Sequence, residues 1–593
     1  MPLAQARHER LHKRVALAVF SSDALSSVAY ATEEILLILM LAGALATHLA
    51  VPIAVSITAL LIIVVVSYQQ TIHAYPSGGG SYIVARANLG TTPGLVAAAA
   101  LLVDYVLTAA VSVAAGVAAI TSAIPELADF KVVIGVVFLA AIALANIRGV
   151  RESGRIFAVP TYGFIASFGL LLIVGAWRLL TGSLPPAAPP AVAAVEPLTW
   201  FLVLRAFSSG CTAMTGTEAI SNGIPAFRPP ESRNAAITLG WMAAILATMF
   251  VGLTVLASHL AIMPSPTETV VSQIARALFG GGFFYYVVQA ATALILVLAA
   301  NTSFADFPRL ASLLARDRFV PRQFATLGER LVFSNGILVL AGFAGLLLIL
   351  FGGDTHALIP LYAVGVFVSF TLSQSGMVRH WLQERSRGWR WRLAINGVGA
   401  TATGVVAVVI AVTKFVHGAW IVVLVIPALV AAFVMMRRHY DEIAQDLSLE
   451  GLGTCPHFEH TVLVLVGDVH RGVVRAVQYA RTLAPTATVR GVYVEVDPAR
   501  TSRIEEKWAQ WGLGVPLVVL GSPYRSLLRP LLDYVDKIHA RGDDQMVTVV
   551  LPEFLPRRWW QHVLHNQTAL LVKGALLFRE NTVVADVPYL LKR

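Results

Sequence analysis

Apolar runs of about 20 residues, each long enough to cross a bilayer as a helix, recur through the first three quarters of this chain. Twelve such segments precede residue 440: 15–43, 51–72, 94–122, 131–147, 156–180, 198–223, 235–262, 283–305, 332–351, 357–378, 393–413 and 417–436. Composition agrees, since 57% of the 593 residues are apolar and 13% are charged, where a water-soluble chain carries about a quarter. The expected fold class is therefore a polytopic α-helical membrane protein with twelve transmembrane helices over residues 1–440.

The net charge of +10 raises the question of a nucleic-acid partner, and its distribution answers it. With the N-terminus inside, the connections alternate sides, and Lys and Arg number 22 inside against 4 outside. That bias is the positive-inside signature. It accounts for the basic balance with no nucleic acid and places both termini in the cytoplasm of a cell inner membrane, with lipid around the bundle. The basic start (Arg7, Arg10, Lys13, Arg14) runs into an apolar segment with no small-residue cleavage site, so a first spanning helix is expected there. Two distant thiols, Cys211 and Cys455, suggest neither a metal site nor a disulfide framework.

Beyond Asp441 the pattern changes. A linker over 441–460 leads to a region, 461–593, where β-rich runs (TVLVLVG, TVRGVYVEV, PLVVLG, MVTVVLPEF, TVVADVPYLL) alternate with amphipathic ones, one of them Trp-rich. Strands alternating with helices predict a parallel α/β sheet. The charge bias puts this domain in the cytoplasm. Its apolar end (Trp559, Trp560, Leu570, Leu571, Leu576, Leu577, Phe578) is a candidate partner surface, although most of these side chains are expected in the domain's own core.

Polar residues inside apolar helices are costly and mark transport paths. The first segment is interrupted by SSDALSSVAYATEE, with Asp23 and Tyr30 two turns apart on one side. The third carries Asp104 and Thr108 at i, i+4 on one face. The sixth, SSGCTAMTGTEAISNG, holds Thr215 and Glu218 among small residues, and the tenth offers Tyr362 just after Pro360. Segments one and six each open a group of five, 1–5 and 6–10. Paired interruptions at corresponding positions of two halves point to a midplane site in a 5+5 inverted repeat (the LeuT-like plan). Backbone freed from a helix at that depth must be satisfied by a ligand, water or side chains.

Three carboxylates (Asp23, Asp104, Glu218), the hydroxyls of Thr108, Thr215, Tyr30 and Tyr362, and free carbonyls make an oxygen-rich, negative cavity. Such ligands suit a hard cation and can replace the hydration shell of an alkali ion. A proton-coupled amino-acid permease of the same fold is the alternative, but it would need exposed amides for a substrate carboxylate, and Asp23 stands at the first break. Thr108 and Thr215 taken singly fit a helix interface as well as a site, and Tyr362 fits packing. Glu33 and Glu34, one turn beyond Tyr30, suit an outer vestibule or packing polarity, and Arg205 suits the outer interface better than a partnership with a central acid.

Through SSDALSSVAYATEEIL, YPSGGGSYIVA, VDYVLTAAVS, TGTEAISNG, NTSFADFPRL and LYAVGVFVSF, in order, the chain resembles the KimA-type potassium importers. These form a KUP-like branch of the amino acid, polyamine and organocation superfamily. The resemblance implies no enzyme and no cofactor, but potassium–proton symport by a homodimer held largely by its cytoplasmic domains. It implies potassium coordination at Asp23, Tyr30, Asp104, Thr108, Thr215 and Tyr362. Glu218 occupies the proton-linked position, with Asp104 the second choice for that role. The C-terminal domain resembles the universal stress protein fold without its glycine-rich phosphate loop. Some relatives respond to cyclic di-AMP, and no residue pattern here marks a site for it.

Overall fold

The computed structural model describes residues 10–78, 80–148, 154–184, 193–326, 333–450, 458–483, 488–523, 526–542, 544–556 and 567–591. These form two units, Met1–Leu447 and Ser448–Arg593.

The described residues of the first unit are mainly helical, with an isolated parallel bridge between Leu11 and Phe227. Its helices are α1 Lys13–Phe20, α2 Ser22–Ser26, α3 Val28–Met40, α4 Ala50–Ala74, α5 Ser81–Leu89, α6 Thr91–Ala123, α7 Lys131–Ile147, α8 Gly154–Leu180 and α9 Trp200–Gly210. They continue as α10 Ala219–Asn222, α11 Glu231–His259, α12 Val270–Phe279, α13 Phe283–Arg316, α14 Ser334–Leu350, α15 Thr355–Glu384, α16 Trp389–Thr413 and α17 Ala419–Asp446. Among the described residues nine stretches, built on α4, α6, α7, α8, α11, α13, α15, α16 and α17, are long and apolar enough to cross a membrane. Helix α14 is apolar but has 17 residues. The segments read as 15–43 and 198–223 are each divided into shorter helices.

Helix α6 is the axis of this unit. In its most apolar stretch 83% of residues are buried, against 22% in α7 and α17. Its run of Ala and Gly explains this, because small side chains let neighbouring backbones come close. At Gly365 of α15, for instance, an added Cβ would lie 2.9 Å from Ala100 O.

Several helices outrun their hydropathic cores, as apolarity marks the lipid-facing length while the hydrogen-bond ladder continues into polar turns. Helix α13 runs on to Arg316 and α17 to Asp446, so the boundary expected at 440 lies inside a helix. The short helices α5 and α12 had no counterpart among the segments expected to span.

The second unit holds five parallel strands, β1 Glu459–Val466, β2 Thr488–Glu495, β3 Leu517–Gly521, β4 Gln545–Leu555 and β5 Thr582–Leu590, in the order β3-β2-β1-β4-β5. The first begins inside the stretch assigned to the linker. Helices α18 Arg471–Leu483, α19 Pro498–Gln510, α20 Leu528–His539 and α21 Gln567–Leu576 connect or flank them. Alternation decides the layers. Val462, Val464 and Val466 of β1 pack with Val473 and Ala476 of α18 and Trp508 of α19. Leu463 packs with Leu531 and Val535 of α20 and Val572 of α21. A central strand apolar on both faces is what a parallel sheet covered on both sides requires. The Trp-rich run, with Trp559 and Trp560, lies outside the described residues, as does Cys455. Of the remaining candidate surface only Leu576 is in the core. Leu570, Leu571, Leu577 and Phe578 are 71%, 61%, 74% and 88% exposed, which corrects the expectation of burial. They lie beyond the one face of α21 that meets the sheet.

Candidate functional site

Two helix interruptions meet at the middle of the first unit, and serine and threonine chemistry explains both. These hydroxyls can bond a carbonyl three residues back and so compete with the helical ladder. In the first interruption Ser22 Oγ donates to Val19 O (3.3 Å), and Ser26 Oγ to Asp23 O (2.7 Å). The Ser27 hydroxyl lies 2.6 Å from Ala24 O and 3.0 Å from Ala213 O. Ala213 belongs to a 3₁₀ turn, Cys211–Met214, that follows α9. In this second interruption Thr212, Thr215 and Thr217 donate to Ser209 O, Thr212 O and Met214 O at 2.8–2.9 Å. Thr215 has extended backbone, and Gly216 adopts φ +75°. A Cβ on Gly216 would lie 2.6 Å from Asp23 Cγ and 2.9 Å from the Ala24 nitrogen. Only glycine serves there, on conformational and steric grounds alike.

Asp23, Asp104 and Glu218 are 8%, 2% and 3% exposed. Each keeps one buried oxygen (Asp23 Oδ1, Asp104 Oδ1, Glu218 Oε2) without a hydrogen-bond partner among the described residues. Asp23 and Asp104 lie within electrostatic reach of each other and of Glu218. Tyr30 lies near the Thr215 and Tyr362 side chains and within electrostatic reach of Asp23 and Asp104, and Thr108 Oγ1 donates to the Tyr362 hydroxyl at 2.9 Å. The close approach of α15 to α6 at Gly365 accounts for that last bond. All seven sequence-selected residues therefore come together around the two breaks, with Tyr362 tied to Thr108 rather than buried among apolar side chains alone.

A fourth acid escaped the sequence reading. Asp306 of α13 interacts electrostatically with Asp23 and Glu218, and its carboxylate lies 3.8 Å from Arg309. The spacing of Asp306 and Arg309 resembles a solvent-facing i, i+3 pair, which concealed it. Tyr105, whose hydroxyl accepts from Asn222 Nδ2 at 3.2 Å, is within electrostatic reach of Asp306, Glu218 and Asp104. Arg205 stays apart from these acids, facing Glu196 at 3.5 Å and His417 at 2.8 Å. Glu33 and Glu34 meet a residue with no place in the sequence reading, His356 at the start of α15.

Buried carboxylates without cationic partners are unstable as ions, and hydrogen bonds or a positive charge must offset the loss of water. Side-chain oxygens and interrupted backbone within one small space can supply the coordination of a dehydrated monovalent cation. A proton on one acid would serve the same electrostatic need.

Comparison with known proteins agrees in both units. Residues 14–439 match the amino acid permease family, and residues 458–589 match the C-terminal domain of the KimA potassium transporter. The potassium transporter KimA of Bacillus subtilis is 45% identical over 593 residues, covering 99% of this chain and 97% of that protein.

Proposed function

The chain belongs to the family of KimA potassium transporters, and we propose that it is itself a secondary active potassium importer, carrying a proton inward with each cycle. The observation that carries this reading is the set of three buried carboxylates at the two breaks, each with an unpartnered oxygen. Potassium is held by Asp23, Tyr30, Asp104, Thr108, Thr215 and Tyr362, and Glu218 carries the proton, with Asp104 as the alternative. An amino-acid substrate fits less well, because Asp23 and Asp104 would face its carboxylate. No covalent bond changes, so the protein is no enzyme and needs no cofactor.

Twelve spans follow when the divided segments α1–α3 and α9–α10, together with α14, join the nine long ones. Segments 1–5 and 6–10 then form an inverted repeat, with alternating access around its broken helices. The transporter runs through α17 to Asp446, a shorter linker follows, and the cytoplasmic domain begins with β1 at Glu459. Both termini lie in the cytoplasm of the inner membrane, as the positive-inside bias supports. The exposed Leu570, Leu571, Leu577 and Phe578 support a homodimer through the second unit, since exposed apolar groups of this kind mark partner surfaces. A chain ending at residue 456 is expected to run as a monomer by light scattering, and a tight dimer of that chain would remove the claim. Control by cyclic di-AMP would act through this second unit, and direct titration of the purified protein by calorimetry decides it, absence of heat removing the idea.

Proton coupling has an energetic reason. Membrane potential favours cation entry by about 2.3 kcal/mol per charge per 100 mV, and each tenfold of uphill concentration costs about 1.4 kcal/mol. Scavenging from dilute medium soon exhausts one charge, and a proton adds a second. Protein in liposomes is expected to take up rubidium, with competition by potassium but not by leucine, alanine or glutamate. Potassium-driven acidification is expected in the parent and absent in Glu218→Gln. Competition by an amino acid would return the permease reading, and proton-independent uptake in the parent would end symport.

A further inference from the structure

Glu33 and Glu34 are 3% and 4% exposed and lie one turn along α3 from Tyr30. Adjacent carboxylates are rarely buried together, since each loses several kcal/mol of hydration. Both meet one imidazole: His356 Nδ1 lies 2.7 Å from Glu34 Oε1, and Nε2 lies 3.4 Å from Glu33 Oε1. Nδ1 is hydrogen-bonded to Glu34 and Nε2 stands at ion-pair distance from Glu33, so a positively charged imidazole would answer both carboxylates. The other Glu33 oxygen accepts from Val270 N, the first residue of α12, at 3.1 Å.

Two cavities, of about 30 and 100 Å³, share Glu33, Thr269, Thr355 and His356 in their walls. The smaller reaches Tyr30, and the larger reaches Lys131, Glu268 and Asp354. The smaller has room for a water or a partly dehydrated alkali ion. Thr355 is 6% exposed, lines both, and its hydroxyl has no hydrogen-bond partner. Some of the surrounding charges are engaged elsewhere, Glu268 with Arg276 at 2.9 Å and Asp354 with the His356 backbone nitrogen at 2.9 Å. Lys414 lies within electrostatic reach of Glu34, with its amine buried and unbonded.

We propose that Glu33, Glu34 and Thr355 form a second alkali-cation site at the outer mouth of the path to Tyr30, closed by His356. The imidazolium is a tethered stand-in for the cation. It joins α3 to α15 while the mouth is empty, and an arriving ion displaces it from the two carboxylates, whose oxygens with the Thr355 hydroxyl then coordinate the ion. The outer placement and the identity of the cation rest on the transport reading above.

Two measurements test the site, one of them independent of transport. In rubidium uptake, His356→Gln removes the competitor and is expected to lower the half-saturating concentration at least threefold. His356→Lys, which keeps a tethered charge, is expected to leave it unchanged or raise it. In intact cells, a membrane-impermeant maleimide is expected to label Thr355→Cys above the parent's background, at least threefold more slowly with potassium than with choline. A half-saturation in His356→Gln within twofold of the parent's or above it, or labelling indifferent to potassium, overturns the site. If His356→Gln does not reach the membrane, labelling decides. A parent that moves no rubidium, while potassium still slows labelling of the Thr355→Cys chain, ends the transport reading and leaves the site standing.

Discussion

Two groups of buried acids in the first unit are balanced in opposite ways. Glu33 and Glu34 share a positive charge built into the chain, His356. Asp23, Asp104 and Glu218, two to three turns deeper or on facing helices, retain oxygens to which nothing donates. The surroundings differ as well: Glu33 and Glu34 sit on continuous helix, whereas Asp23 and Glu218 belong to the interrupted segments and Asp104 faces them from the unbroken α6. A carboxylate balanced by a tethered cation has little need of a mobile one until displacement occurs. A carboxylate with no such partner among the described residues needs a bound cation or a proton to balance it.

Removing one of the deeper charges should therefore cost most. Asp23→Asn keeps the volume and is expected to reduce rubidium uptake about a hundredfold or more, or ~2.7 kcal/mol, with expression and assembly intact. Wild-type uptake in that variant would put the cavity elsewhere. A Cβ beside the same acid should come next. Gly216→Ala forces a left-handed residue at a cost of about 1–2 kcal/mol and presses on Asp23, so transport should fall about tenfold. A lower thermal midpoint should accompany the loss, whereas unchanged uptake and melting would show that the second break relaxes freely. The mildest change is Tyr30→Phe, which deletes one neutral oxygen worth about 1 kcal/mol. Half-saturation should rise several-fold with the maximal rate nearly kept, and a fall in rate alone would make Tyr30 a packing residue.

The sequence revealed more of the two breaks than of the cluster formed by Glu33, Glu34 and His356. Hydropathy placed the bundle, and small polar residues within apolar runs located both interruptions, because each is conspicuous against its background. Asp104 and Thr108 were legible through their i, i+4 spacing on one helix. The pairing of His356 with Glu33 and Glu34 joins positions over 300 residues apart, and no local pattern links them. Asp306 was hidden by an ordinary neighbour, Arg309, at helical spacing. Gly216 was read as one of several small residues; its left-handed backbone and contact with Asp23 emerge only when the two breaks are brought together. In the second unit the β-rich runs gave all five strands, yet the exposure of Leu570, Leu571, Leu577 and Phe578 was misjudged. A single amphipathic helix shows which residues are apolar but not which of them its neighbours cover.

Ser27 has one hydroxyl proton and two carbonyls within reach, Ala24 O on its own segment and Ala213 O on the other broken helix. A hydroxyl donates one hydrogen at a time, so these contacts are rival positions of a single swivel. When the proton turns toward Ala213 the two interrupted segments are coupled. When it turns back to Ala24 that coupling is lost, and the donor still has a partner. Separation then forfeits no net hydrogen bond on the serine side, and the remaining demand falls on Ala213 O, which water can meet as the space opens. The contact between the two interrupted segments thus offers one serine hydroxyl two acceptors, and giving up the one across the gap leaves the serine with a partner still in reach.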